Sequence, residues 1–116
     1  MKTTNEIGKK GELIAQHYLE SKRYTIIATN FRHQKAEIDI IAKKENVLTF
    51  IEVKYRTSIT HGLPEEAIDE KKKKLIMSAA EHYIMTTNWE GAIQFDVISI
   101  IENDSFNILH LEDVFY

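Results

Sequence analysis

At 116 residues, 43% of them hydrophobic and 28% charged with no cysteine, the chain is expected to form one domain over residues 1–116, without disulfides or a Cys-based zinc site. The opening Met1-Lys2-Thr3-Thr4-Asn5-Glu6 is polar and no apolar run has the length a bilayer demands, so a cytoplasmic protein with no membrane attachment is expected. The net charge of −3 argues against a phosphate-binding surface, but all 15 Lys and Arg lie within residues 1–74, which leaves 75–116 strongly acidic. One part of the surface can then be basic; the plainer alternative is a C-terminal stretch made of core and solvated acidic loops.

In chain order, Thr3 and Glu6 form a capping-box pattern, and Ile7, Gly11, Ile14, Ala15, Tyr18 and Leu19 recur at helical spacing, which predicts a helix from about Thr4 to Lys22. Tyr24–Thr29, Ala36–Lys43 and Val47–Arg56 are rich in Ile, Val, Thr, Tyr and Phe and read as three strands, the last two forming a hairpin. Pro64, followed by Glu65 and Glu66, predicts the start of a second helix, with Ile68, Leu75, Ile76, Ala79, Ala80, Tyr83 and Ile84 as its apolar face. Ile93–Ile101 and Phe106–Leu111 read as a final hairpin turning at Asn103-Asp104-Ser105. The order α-β-β-β-α-β-β makes this an α/β fold, a mixed sheet flanked by helices.

Charges interrupt the most strand-like part of the chain, in Glu37-Ile38-Asp39-Ile40-Ile41 and Phe50-Ile51-Glu52-Val53-Lys54. Glu52 and Lys54 share one face of their strand, roughly 6.6–6.8 Å apart. If Glu45-Asn46 is a two-residue loop, Asp39 falls opposite Glu52 and Glu37 opposite Lys54, with all four on one face; a four-residue loop, Lys43 to Asn46, shifts the pairing but keeps the faces, and an odd-length loop without a bulge breaks the set. Neighbouring cross-strand carboxylates repel unless a cation or proton lies between them, and oxygen-only ligands suit magnesium or manganese better than zinc. The alternative is a structural ion-pair ladder. Glu12 falls at the edge of the first helix's apolar stripe, from where it either leans toward this site or stays solvated.

Lys72 lies within the apolar stripe of the second helix, where it either snorkels to solvent or meets the carboxylates or a substrate phosphate. Lys71, Lys73 and Lys74 fan around the polar side as a phosphate-attracting face. Asp96, between Phe95 and Val97, reads as a structural hydrogen-bonding residue ahead of a further site acid. The five histidines lack metal-ligand spacing, and Trp89 reads as a cap on the core.

The set Gly8, Gly11-Glu12, Ala15, Tyr18-Leu19, Asn30-Phe31-Arg32, Glu37-Ile38-Asp39, Glu52-Val53-Lys54-Tyr55-Arg56, Gly62, Pro64, Glu66-Ala67-Ile68, Lys72 and Phe95-Asp96-Val97 resembles the bacterial YraN-like family over nearly the whole chain. That family looks like a small branch of the PD-(D/E)XK nucleases, relatives of archaeal Holliday-junction resolvases. The resemblance implies a restriction-endonuclease-like fold and carries the superfamily's acid, acid-x-Lys, helical Glu and following-helix Lys onto Asp39, Glu52, Lys54, Glu12 and Lys72. Ile38 stands where the namesake proline would be, Ala36 where a glycine is usual, and Gln94 where an arginine often precedes Phe95-Asp96.

On this reading the protein is a Mg²⁺- or Mn²⁺-dependent endonuclease acting on DNA, branched or otherwise structured as its relatives suggest. Asp39, Glu52, Glu12 and the Val53 carbonyl would hold the ion, and Lys54 would position the nucleophile or stabilise charge. Lys9, Lys10, Arg32, Arg56 and Lys71 to Lys74 would grip the backbone. The alternatives are a non-cutting nucleic-acid-binding module and a protein-interaction module. A resolvase needs two active sites, so a homodimer fits the reading, although no residue in the sequence marks an interface.

Overall fold

In the computed structural model, the residues described are 4–56, 69–102 and 105–114. Helix α1 (Thr4–Ser21) is followed by strands β1 (Thr25–His33), β2 (Ala36–Lys44) and β3 (Val47–Arg56), helix α2 (Glu70–Thr87), and strands β4 (Ala92–Glu102) and β5 (Phe106–Leu111). The five strands lie in one sheet in their sequence order. β1, β2 and β3 form an antiparallel meander, β4 runs parallel to β3 after the chain has passed through α2, and β5 returns antiparallel. The expected element order and mixed sheet are therefore observed.

The sheet separates two apolar layers. Ile76, Ala79 and Ala80 of α2 pack with Phe50, Phe95 and Val97, whereas Ala15 and Leu19 of α1 pack with Ile51, Ile98 and Ile100. In β3 and β4 the assignments follow strand alternation. β1 and β2 depart from it. Ile38 belongs to the α2 layer and Ile40, two residues on, to the α1 layer. The reversal falls on Asp39. Beside it in β1, Asn30 adopts a left-handed φ of 51°, a conformation asparagine tolerates better than most residues. A register shift between Ile26 and Ala28 bends the same strand.

Two expectations change. The described helix α2 begins at Glu70, because Asp69 is its N-cap and accepts from the Lys72 amide at 2.7 Å. Pro64, Glu65, Glu66 and Ile68, on which the earlier start rested, lie outside the described residues, as do Thr3 of the capping box and Asn103-Asp104 of the last turn. Strand β1 also continues to His33, past the Thr29 expected from composition. Asn30 and Arg32 read as a polar break in the sequence, but both lie in the ladder strand, Arg32 opposite Glu37.

Candidate active site

Of the loop lengths the sequence allows, the β2–β3 hairpin uses the two-residue one, Glu45-Asn46, with Lys44 opposite Val47 and the register running to Ile40 opposite Ile51. There the ladder ends. Asp39 does not pair with Glu52, nor Glu37 with Lys54, which corrects the expectation of a regular ladder through all four charges. The Asp39 carboxylate enters the opening, and its Oδ2 accepts a hydrogen bond from the Val53 amide at 2.8 Å. A side chain has replaced a backbone acceptor, so the strands part here without orphaning the amide.

The opening draws on both helices. From the α1 side, Glu12 accepts at Oε1 from Asn30 Nδ2 at 2.8 Å, and the same amide nitrogen donates to Glu37 Oε1 at 3.4 Å. Carboxylate oxygens of Glu12, Glu37 and Asp39 all lie within 4.8 Å of one another. From the α2 side, Lys72 donates from Nζ to Glu52 Oε1 at 2.6 Å, and Lys54 Nζ lies 3.6 Å from the same oxygen. Glu52 is only 6% exposed. Its carboxylate is therefore held by two cations, and the tight acidic cluster is Glu12, Glu37 and Asp39. Glu37, Asp39, Glu52 and Lys72 border a cavity of about 230 Å³, with Lys35 completing its polar wall and Ala36, Leu75 and Ile76 forming its apolar side.

Burial and the adjacent Glu52 charge push the Asp39 carboxyl up to about 7, against the smaller opposing effect of the Val53 hydrogen bond. Burial also pulls the Lys54 ammonium below its ordinary value, aided by Lys72 alongside. Burial acts on Lys72 in the same sense and is the largest single effect, but the hydrogen bonds to Glu52 and Lys54, together with the charges of Glu52 and Asp39, outweigh it and raise Lys72 overall. Of the two lysines, Lys54 is the one eased toward the neutral amine.

Other basic residues separate into those near this opening and those away from it. Arg32 reaches Glu37 with Nη2–Oε2 at 2.7 Å while remaining largely exposed. Arg56 ends β3, half-buried, on the same face as Lys54 by strand alternation. Lys10 is held by Glu102 at 2.9 Å, and Lys73 reaches back to Glu70 at 3.5 Å. Lys74 borders a different, apolar groove, and Lys9 and Lys71 are exposed. Glu37 and Lys35 were given no role by the sequence. The sequence set Glu37 on the face of Asp39, Glu52 and Lys54, whereas its partner Arg32 across β1 becomes visible only once that strand is extended past Thr29.

Asp96 lies elsewhere, fully buried on the α1 face of β4. Its Oδ1 accepts from Gln94 Nε2 at 3.0 Å and from the Asp113 amide at 2.9 Å, and its Oδ2 lies 2.6 Å from His110 Nε2. His110 Nδ1 in turn faces the Tyr18 hydroxyl at 3.3 Å. This network ties β4, β5 and the following residues to α1, the structural role expected of Asp96. His110 joins it with no spacing signal to announce it. Trp89 packs against the core and donates from Nε1 to the Ala92 carbonyl at 3.0 Å.

A mixed five-stranded sheet, a helix on each face and an acid-rich opening between two antiparallel strands define a restriction-endonuclease-like α/β protein. Residues 11–100 match the model of UPF0102, an uncharacterised protein family. A UPF0102 protein of Flavobacterium psychrophilum is 42% identical over 97% of this chain and 95% of its own length. Counterparts in Chlorobium limicola and Cytophaga hutchinsonii are 44% and 46% identical, over 97% and 92% of this chain and 93% of each relative. The chain belongs to the UPF0102, or YraN-like, family, which is related to the PD-(D/E)XK nucleases. Among the described residues no helix is long and apolar enough to cross a membrane.

Proposed function

We propose that this protein is a metal-dependent endonuclease that hydrolyses DNA phosphodiester bonds, with branched or otherwise structured DNA as the substrate its nuclease relatives suggest. One observation carries the reading. The β2–β3 ladder opens at Asp39, so that Glu12, Glu37 and Asp39 converge within 4.8 Å beside the Glu52, Lys54 and Lys72 group. The donor set fits a hard divalent cation, because every candidate ligand is oxygen and a carboxyl raised by its neighbours is relieved by positive charge. Asp39, Glu52 and Glu12, with the Val53 carbonyl, would hold Mg²⁺ or Mn²⁺, and Glu37 stands close enough to join them. The chemistry such an ion supplies is Lewis acidity toward a phosphodiester and toward water.

The chain's own groups do the rest. Lys54 orients the attacking water and meets negative charge developing on the phosphate. Lys72 neutralises Glu52 until substrate or cation engages that carboxylate. Arg32, Arg56 and Lys35 attract the phosphate backbone without reading sequence, and Lys71, Lys73 and Lys74 extend the positive field along α2.

Cleavage assays on duplex, single-stranded and four-way-junction DNA with Mg²⁺ or Mn²⁺ test this reading. Wild-type protein is expected to cut at least one of these, and Asp39→Asn and Lys54→Ala to lose cutting by a factor of about 100 or more while retaining native circular dichroism. Cleavage unchanged in both variants rejects the mechanism, and salt-sensitive binding without cutting by wild type points to a binding module.

A further inference from the structure

Helix α2 carries a second stripe beside the one that enters the core. Lys74, Met77, Ser78 and Glu81 follow one another at helical spacing, and with Ile84 they face Ile93 of β4 across an apolar groove of about 470 Å³. Met77 and Ile93 keep 44% and 38% of their surface exposed, more than isolated apolar surface residues need when they share one groove. Lys74 and Glu81 bracket the groove two helical turns apart, and among the described residues neither forms an ion pair. An unpaired cation and an unpaired anion thus stand at opposite ends of one apolar strip.

We propose that this strip is the interface of a homodimer, in which the α2 helices of two copies of the chain pack antiparallel about a twofold axis passing between Met77 and Ser78. An isologous contact sets residue i against j and j against i. The midpoint of the Lys74–Glu81 span falls between Met77 and Ser78, so this operation places Lys74 against Glu81 of the partner subunit and Glu81 against the partner's Lys74. Both charges are answered twice by the same rotation. Met77 then enters the partner's groove, and the short Ser78 side chain lets the helices approach at the crossing. A partner of unrelated sequence would need no such self-complementarity, and for that reason the occupant assigned is a second copy. Lys72 lies on the neighbouring stripe of the same helix, so α2 carries both the interface and one member of the candidate active site. The interface stands on its own observations and does not depend on nuclease activity.

Light scattering and sedimentation velocity across a wide range of protein concentration test it. Wild type is expected to reach twice the 13.5 kDa chain mass. Lys74→Glu and Glu81→Lys, each setting like charges together at two places, are expected to weaken the dimer by roughly tenfold or more, and the double exchange Lys74→Glu/Glu81→Lys to restore it. Met77→Asp is expected to yield monomer. All of these side chains are exposed, and circular dichroism verifies that each variant is folded. A wild-type chain of single-chain mass at every concentration, a dimer indifferent to both single reversals, or a double exchange that remains monomeric would each overturn the proposal.

Discussion

Asp39 spends its Oδ2 on the Val53 amide and still has Glu52 and Glu12 as charged neighbours. Its carboxyl titrates at about 7, above the ordinary 3.8, so the folded chain holds this proton more tightly than the unfolded chain does. The stabilisation from that proton is fully present below the unfolded value and is lost as pH rises through about 7. Metal-free protein is therefore expected to lose stability from about pH 4 to about pH 7 through this group. Asp39→Asn keeps an acceptor for Val53 but removes the repelled charge. In EDTA it should exceed wild type by on the order of 1–2 kcal/mol at about pH 8, with the difference shrinking as pH falls. Urea denaturation at two pH values measures this. A variant weaker than wild type by the same amount at both would show that Asp39 matters only for its hydrogen bond. At this scale the sequence was informative about Asp39, Glu52, Lys54 and Lys72, since a charge inside an apolar pattern is conspicuous. It set Glu37 on the same face but not beside Glu12, because Asn30, which donates to both, lies in a strand segment that looked like loop.

Two elements must be held still for those side chains to meet. Helix α1 carries Glu12 to the opening, and its seat is Gly11, where an added Cβ would lie 2.8 Å from the Tyr55 Cβ. Tyr55 is itself fixed, since its hydroxyl donates to Glu102, which also accepts from Lys10. Gly11→Ala gains helix propensity of about 1 kcal/mol but must push α1 off β3, a strain of roughly 1–3 kcal/mol. The expected outcome is a net loss of about 1 kcal/mol in stability and weaker divalent-cation binding as Glu12 withdraws, read by denaturation and by calorimetric titration. At the other end, Asp96 holds His110 and the Asp113 amide to β4. Asp96→Ala removes the buried acceptor that these groups share, and a loss of about 2–4 kcal/mol is expected, measured by thermal and urea unfolding. Element identities were legible from periodicity, and the β2–β3 register follows once the loop is seen to have two residues. The start of α2 was not, because Pro64-Glu65-Glu66 is a stronger local start signal than Asp69, and the cap geometry that marks Asp69 is a property of the folded helix.

For the whole molecule, the net charge is −3, and the opening sets three carboxylates, Glu37, Asp39 and Glu52, against two lysines, Lys35 and Lys72. A cation that binds only the folded state adds stability as RT ln(1 + [L]/Kd), about 2.7 kcal/mol at a hundredfold excess over Kd. Mg²⁺ or Mn²⁺ is therefore expected to raise the melting temperature by several degrees, more at about pH 8 than at about pH 6, because protons compete for Asp39 at the lower pH. Asp39→Asn should abolish most of the shift. A shift of equal size in wild type and variant would place the ion elsewhere on the acidic surface.

By itself the sequence determined which segments are helix and strand, which face of each is apolar, that β2 and β3 form a hairpin, and which charges sit where apolar residues belong. These are records of local periodicity, and periodicity survives in a linear string. Only the tertiary structure decided that the ladder stops at Ile40 and Ile51, that Glu37 joins Glu12 and Asp39, and that His110 anchors Asp96. Each of these is a contest among groups distant in sequence for the same donor, acceptor or space. The Val53 amide goes to Asp39 because the β2–β3 ladder has already ended at Ile40 and Ile51, and nothing local to either residue dictates that end.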